Sequence, residues 1–374
     1  MKNLKNNIVL TNLVFFAFCS IAIHAQNAKK LSFKNGEKTF LEGRIFNSDS
    51  KTSKHIVINT YPCLSSELLP ESEIYAESVL RNKLVQMGVT FLEFGGRKDS
   101  IQKYGHKYPA STLYTKADDL DSAIAWIHSQ KDLKDKKIVV MGSSEGGSSC
   151  VISASRNPEI DAVVLLATPA VRGKELEEYQ HRYQDTLITG TFGSHQSYLD
   201  FCNKQSSLKA KNYEQSIDGY RKFREDMYSP LEDIVHNYTN YDTIVSHLYG
   251  YLQDKWSREN EEVKNYHKTF ENYCNVHQFY NFILPQQIAI RTWNPELYYV
   301  KIKCPVLTVN GTQDKRVEYK SNIQKIGEFL KMGGNEKFKA LILKDYDHSL
   351  VYKSHKNQMD EVTVNQVVKW IVNQ

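Results

Sequence analysis

The chain is poor in cysteine, and what it has is not paired. Six cysteines occur in 374 residues, and none falls in a CxxC or paired-histidine spacing. That excludes a zinc ribbon or a redox dithiol. The loose group His267, Cys274 and His277 is expected to be ordinary surface. Without Cys19, which lies in a segment expected to be removed, five remain: Cys63, Cys150, Cys202, Cys274 and Cys304. An odd, widely scattered set argues against a disulfide framework. One bridge, such as Cys202 with Cys274, stays open. The chain also lacks a block of like charge. Its 48 basic and 43 acidic side chains give a net charge of +5 and are interspersed, so neither nucleic acid nor an anionic membrane is an expected partner. No apolar run reaches the roughly 20 residues that a membrane-spanning helix needs.

What is present begins at the N-terminus. Lys2 and Lys5 precede an apolar stretch from Leu13 to Ile23, and Ala25 follows as a small residue for cleavage. This is the layout of a secretory signal peptide. Phe18 before Cys19 is too bulky for a lipoprotein signal. Residues 1–25 are therefore expected to direct the chain out of the cytoplasm, to a secreted or periplasmic location, and to leave no stable membrane anchor.

Beyond it, LSFKNGEKTFLEGRIF predicts a hairpin with Asn35-Gly36 at the turn. Strand and helix patterns then alternate. HIVIN (55–59) reads as a buried strand, 73–87 as a helix stopped by Gly88, and VTFLEF (89–94) as a strand. Leu120, Ile124 and Ile127 place a helix over 116–129, with Asp118 and Asp119 expected near its N-terminal end, where the helix dipole favours acids. KIVVM (137–141) is a strand, 145–155 a helix and AVVLLA (162–167) a strand. Continuous β-branched runs alternating with helices imply a parallel sheet covered on both faces.

From about Val171 the chain turns polar, tyrosine-rich and helical, without a buried strand. The alternation resumes at CPVLTVN (304–310), with a helix over 323–332, a strand FKALIL (338–343) and a last amphipathic helix bearing Val364, Val367, Val368 and Ile371. The final strands are too few to bury a core alone, so one sheet interrupted by an insertion is the economical reading. The expected organisation is a core over 26–170 and 298–374, with a helical cap over 171–297. Tyr179, Tyr183, Tyr198, Trp256, Tyr266, Phe270 and Tyr280 either line a pocket or form the cap's own small core; base rates favour the core.

Residues 142–146, GSSEG, follow the KIVVM strand directly and open a small-residue helix, EGGSSCVISA. GxSxG arises by accident in roughly one chain in ten of this length. Strand, GxSxG and helix together are the context of a nucleophile elbow, where Gly142 and Gly146 relieve crowding around a strained serine. Ser144 is thus the candidate nucleophile. It needs a base and an orienting acid, arriving in the order Ser, Asp, His at strand ends. Asp314 lies four residues past Asn310, and His348 follows the strand ending at Leu343. Asp345 and Asp347 compete for the acid role but stand too close to the histidine for an easy facing geometry. An oxyanion hole would use the amide of Glu145 and a donor from the loop NTYPCLSSE, where Pro62 has no N–H to give. The amide of Tyr61 or Cys63 serves there, with the Tyr61 hydroxyl as an added donor; a packing aromatic is the bland alternative. No metal or organic cofactor is called for.

The stretches IVVMGSSEGG, VVLLATPAVRGKEL and KCPVLTVNGTQDKRV resemble bacterial serine α/β-hydrolases of the dipeptidyl aminopeptidase or acylaminoacyl-peptidase-like kind, especially their esterase branch. The likeness runs from Leu31 to the end and is weakest through the cap. It implies an α/β-hydrolase fold and a carboxylesterase with Ser144, Asp314 and His348 as triad, acting on a small-molecule ester. Two stretches depart from that branch: Asn59-Thr60-Tyr61-Pro62 stands where a GSGP is usual, and Gly95-Gly96-Arg97-Lys98 where DDRG is. Two other classes stay open, a peptidase with the same triad and a non-catalytic binding protein of the same fold.

Overall fold

The computed structural model describes residues 28–36, 39–48, 53–60, 76–182, 229–276, 279–352 and 359–374. The expected signal segment, Tyr61, Pro62, Cys63, Tyr183, Tyr198, Cys202 and His277 lie outside them. An eight-stranded sheet forms from β1 (Lys29–Lys34), β2 (Phe40–Phe46), β3 (His55–Thr60), β4 (Thr90–Phe94), β7 (Lys137–Ser143), β8 (Ile160–Leu166), β9 (Val306–Gly311) and β10 (Phe338–Leu343), of which β3, β7, β8 and β9 are rich in β-branched residues. Its order is β1-β2-β4-β3-β7-β8-β9-β10. β2 pairs antiparallel with β1 and with β4, and every other pair is parallel.

All residues of β3, β4 and β9 are buried, as a parallel sheet covered on both faces requires. The pleat sends alternate side chains to two cores. Ile56, Ile58, Ile138 and Val140 meet Leu120, Ile124 and Ile127 of helix α2 (Leu113–Ser129) and Val151 of α3 (Glu145–Ala154). Val57, Val139 and Met141 meet Leu80 and Leu84 of α1 (Ala76–Gln86), together with Val364, Val367, Val368 and Ile371 of the last helix, Glu361–Val372. The expected apolar stripe of that helix is thus the face it buries. Alternation alone sorted the two layers.

Three local expectations are corrected. The β1–β2 hairpin forms, but its connection runs from 35 to 39, closed by Asn35 Oδ1 accepting from Thr39 N at 2.9 Å. Helix α2 begins three residues before 116, because Thr112 and Thr115 form a reciprocal capping box. Asp119 sits in the second turn, fully buried, and accepts from Arg97 Nη2 at 2.7 Å and Asn35 Nδ2 at 3.1 Å. A buried ion pair, rather than the helix dipole, accounts for its position. The departure at Gly95-Gly96-Arg97-Lys98 is therefore a loop anchored on α2.

The cap is helical where described, from α4 (Gly173–Arg182) to helices at Ser229–Asn237, Tyr241–Ser257 and Pro285–Arg291. It has a core of its own. Leu231, Val245, Leu248 and Phe279 are buried together, with Trp256, Phe270 and Tyr280 packed against them, while Tyr266 is exposed. That core is shared with an unpredicted hairpin, β5 (Ser100–Lys103) and β6 (His106–Pro109). Its turn is Tyr104-Gly105, with φ of 47° and 78°, the two positive values that a tight hairpin demands. Tyr104 stacks on Tyr249 at 4.2 Å, His106 lies 4.1 Å from Tyr280, and Tyr108 enters the cap core. His267 and Cys274 are also buried in the cap, correcting their expected surface position. His267 packs against the rings of Trp256 and Tyr273, and Cys274 carries a free thiol. Among the described residues no group could hold a metal, and no helix is long and apolar enough to cross a membrane.

Candidate active site

The turn between β7 and α3 holds Ser144 at φ 50°, ψ −123°, a conformation that costs a non-glycine residue about 1–3 kcal/mol. The surroundings enforce it. Ser144 N donates to Leu166 O at 2.8 Å, and Thr60 Oγ1, at the end of β3, donates to Gly146 O at 2.8 Å. A Cβ on Gly142 would lie 2.5 Å from Thr60 Oγ1 and 2.6 Å from the Gly146 carbonyl. Gly147, which the motif does not include, is equally constrained: its Cβ would lie 1.8 Å from Thr168 Oγ1. Beneath the turn, burial pushes the Cys150 thiol up to about 12, so it is no rival nucleophile.

The sheet brings the three distant residues together at the carboxyl ends of β7, β9 and β10. His348 Nε2 is 3.2 Å from Ser144 Oγ, and His348 Nδ1 is 2.9 Å from Asp314 Oδ2. The carboxylate is completely buried, while the imidazole keeps 19 % exposure. Asp314 Oδ1 accepts from the amides of Arg316 and Val317 at 2.7 and 2.9 Å, so all three donors point at one carboxylate. Asp347, by contrast, accepts from Ser349 N and Val351 N and shapes the turn carrying the histidine. Asp345 takes a positive φ of 64° in the same turn.

A cleft of about 500 Å³ opens over Ser144, walled by Leu113, Leu176, Ile290, Trp293 and Val317. None of the described cap aromatics singled out from sequence lines it, whereas Trp293, which was not among them, does. Glu145 follows Ser144, so its amide is the first of α3, and its buried side chain reaches the cleft, where Oε2 accepts from Gln286 Nε2 at 2.6 Å. Glu77 is a second buried carboxylate in the lining. Gln286, Glu77 and Thr60 escaped the sequence reading because no motif marks them. Tyr61, the other expected oxyanion donor, lies outside the described residues.

A nucleophile-elbow serine at the floor of a cleft, its hydrogen-bonded histidine and acid, and a largely parallel sheet in this order define an α/β-hydrolase. Residues 105–349 match the family described as X-Pro dipeptidyl-peptidase (S15 family), which is more than half of the chain. The chain belongs to that family. Among solved structures it is similar to the Pyrococcus furiosus esterase Pf2001, with 16 % identity over 92 % of this chain and 89 % of that one and a TM-score of 0.50. It is also similar to an esterase domain from Rhodothermus marinus (12 % identity, 92 % and 98 % covered, TM-score 0.46). Est1E from Butyrivibrio proteoclasticus shows 13 % identity over 92 % and 96 % of the two chains, with a TM-score of 0.43. At such identities the likeness is one of fold. No curated protein matches the sequence.

Proposed function

We propose that the protein is an exported serine hydrolase that cleaves carboxylic esters through an acyl-enzyme on Ser144. The observation that carries this is the unbroken chain from Ser144 Oγ through His348 to the buried carboxylate of Asp314. His348 Nε2 takes the hydroxyl proton as Oγ attacks the ester carbonyl, and Asp314 holds the resulting imidazolium in position. The oxyanion collects on the Glu145 amide, with Tyr61 as the second donor. The imidazolium then protonates the departing alcohol. Water, deprotonated by the same histidine, releases the acid and restores Ser144. The apolar cleft walls suit an acyl chain, and the charge-then-apolar pattern of residues 1–25 supports export.

A second reading, a peptidase acting on substrates with a free amine, is favoured by the family match and by the two buried carboxylates in the cleft, Glu77 and Glu145. One panel tests both. The wild type and Ser144→Ala are compared on p-nitrophenyl esters and aminoacyl anilides, with a fluorophosphonate probe to titrate the serine. Ester turnover lost in Ser144→Ala supports the first reading. Anilide rates that rival the esters favour the second, and turnover that survives the substitution removes both.

A further inference from the structure

Helix α4 of the cap lies against the loop that follows β9, and it reaches the acid of the site. The phenol of Tyr179 donates to the main-chain carbonyl of Asp314 at 2.6 Å. One residue on, Gln180 Nε2 donates to Arg316 O at 3.2 Å. Leu176 of the same helix packs on Val317. On its other side α4 is tied into the cap: the carboxylate of Glu177 lies 2.9 Å from His236 Nε2 and accepts from Arg291 Nε at 3.0 Å. A continuous path therefore joins two cap helices, through α4, to the loop 312–317.

That loop decides where the carboxylate points. Asp314 Oδ1 is fixed by the amides of Arg316 and Val317, which leaves Oδ2 aimed at His348. The sheet holds the start of the loop through Thr312 N to Leu343 O at 2.9 Å and Gln313 N to Tyr346 O at 2.8 Å. From 314 onward the side chains of α4 take over. Each contact is modest, but a shift of a few tenths of an ångström in the loop moves Oδ2 by as much, and a charge-assisted hydrogen bond weakens with distance and angle.

We propose that Tyr179 is a positioning residue of the triad, through which the cap sets the orientation of Asp314 toward His348. This rests on the reading of Ser144, Asp314 and His348 as catalytic residues. In this arrangement the cap is part of the machinery it covers, since its seat on the core determines how well the imidazolium is held.

The test is Tyr179→Phe in the full chain, which keeps the ring and removes the donor. Turnover of a p-nitrophenyl ester is normalised to the fluorophosphonate-reactive fraction, and the far-downfield proton resonance of His348 Nδ1–H is recorded. The expected result is a fall in kcat of about fivefold, the worth of one ordinary hydrogen bond, with KM unchanged and the resonance displaced or broadened. Glu177→Gln, outside the loop, is expected to move both readouts the same way by less, and it keeps the test open should Tyr179→Phe fold poorly. Unchanged kcat with an unmoved resonance overturns the proposal, as does a change confined to KM or to thermal stability. Activity surviving Ser144→Ala would instead remove the triad on which it rests, so the two failures are distinguishable.

Discussion

Asp314→Asn separates the tautomer from the fold. The wild-type carboxylate accepts from three donors, His348 Nδ1 and the amides of Arg316 and Val317. An asparagine offers one oxygen and one NH2. If the oxygen faces the loop, both amides at 2.7 and 2.9 Å stay satisfied and the NH2 turns to the histidine. The opposite orientation sets a donor against two donors, leaving buried groups unpaired at about 1–3 kcal/mol each. The first therefore wins. His348 Nδ1 must then accept, its proton moves to Nε2, and Nε2 donates to Ser144 Oγ instead of taking its proton. The expected loss in kcat is about 10⁴-fold, or about 5.4 kcal/mol at 1.36 kcal/mol per factor of ten. The thermal midpoint should barely move, because the loop keeps its hydrogen bonds. Burst-titrated turnover of a p-nitrophenyl ester, beside a melting curve, measures both. Asp314→Asn retaining more than a hundredth of wild-type kcat would refute this account of the acid.

Three further outcomes follow from the same geometry. Ser144→Gly should abolish turnover yet raise stability by about 1 kcal/mol by relieving the strain at φ 50°, whereas Ser144→Ala removes the hydroxyl without that gain; denaturant midpoints of the pair decide it. Gly147→Ala should cost about 3 kcal/mol by overpacking against Thr168. Pairing it with Thr168→Ala should recover only part, since the Thr168 Cβ itself would stand 2.8 Å from the new methyl. Burial lowers the pKa of His55 and His267 below the ordinary value of 6.5. The unfolded chain therefore binds these protons more readily than the folded one, so stability is complete above pH 6.5 and declines as pH falls below it. Melting curves at pH 7.5 and 5.5 should show the drop, and His55→Gln should reduce it. Stability that rises on acidification would reverse the sign of the argument.

Much of the fold was legible because burial on both sheet faces leaves continuous β-branched runs, as in HIVIN, KIVVM and AVVLLA. The β5–β6 hairpin was not. SIQKYGHKYP is polar and short, and it becomes a strand pair only because Tyr104, His106 and Tyr108 find aromatic partners in the cap. Asp119 misled for a similar reason: near a helix start an acid reads as a dipole partner, and only Arg97, 22 residues away, shows it to be the buried half of an ion pair.

The amino-acid sequence by itself marked the candidate reactive groups. The strand-turn-helix pattern around Ser144 and the order of Asp314 and His348 at strand ends are local facts, set by short-range sterics and by alternation along a strand. How those groups are aimed was decided by the tertiary structure alone. Thr60 under the turn, Thr168 against Gly147, Gln286 on Glu145 and Tyr179 on Asp314 are contacts between residues distant in the chain. No periodicity encodes such pairs, because each exists only once the sheet has closed and the cap has settled on its rim.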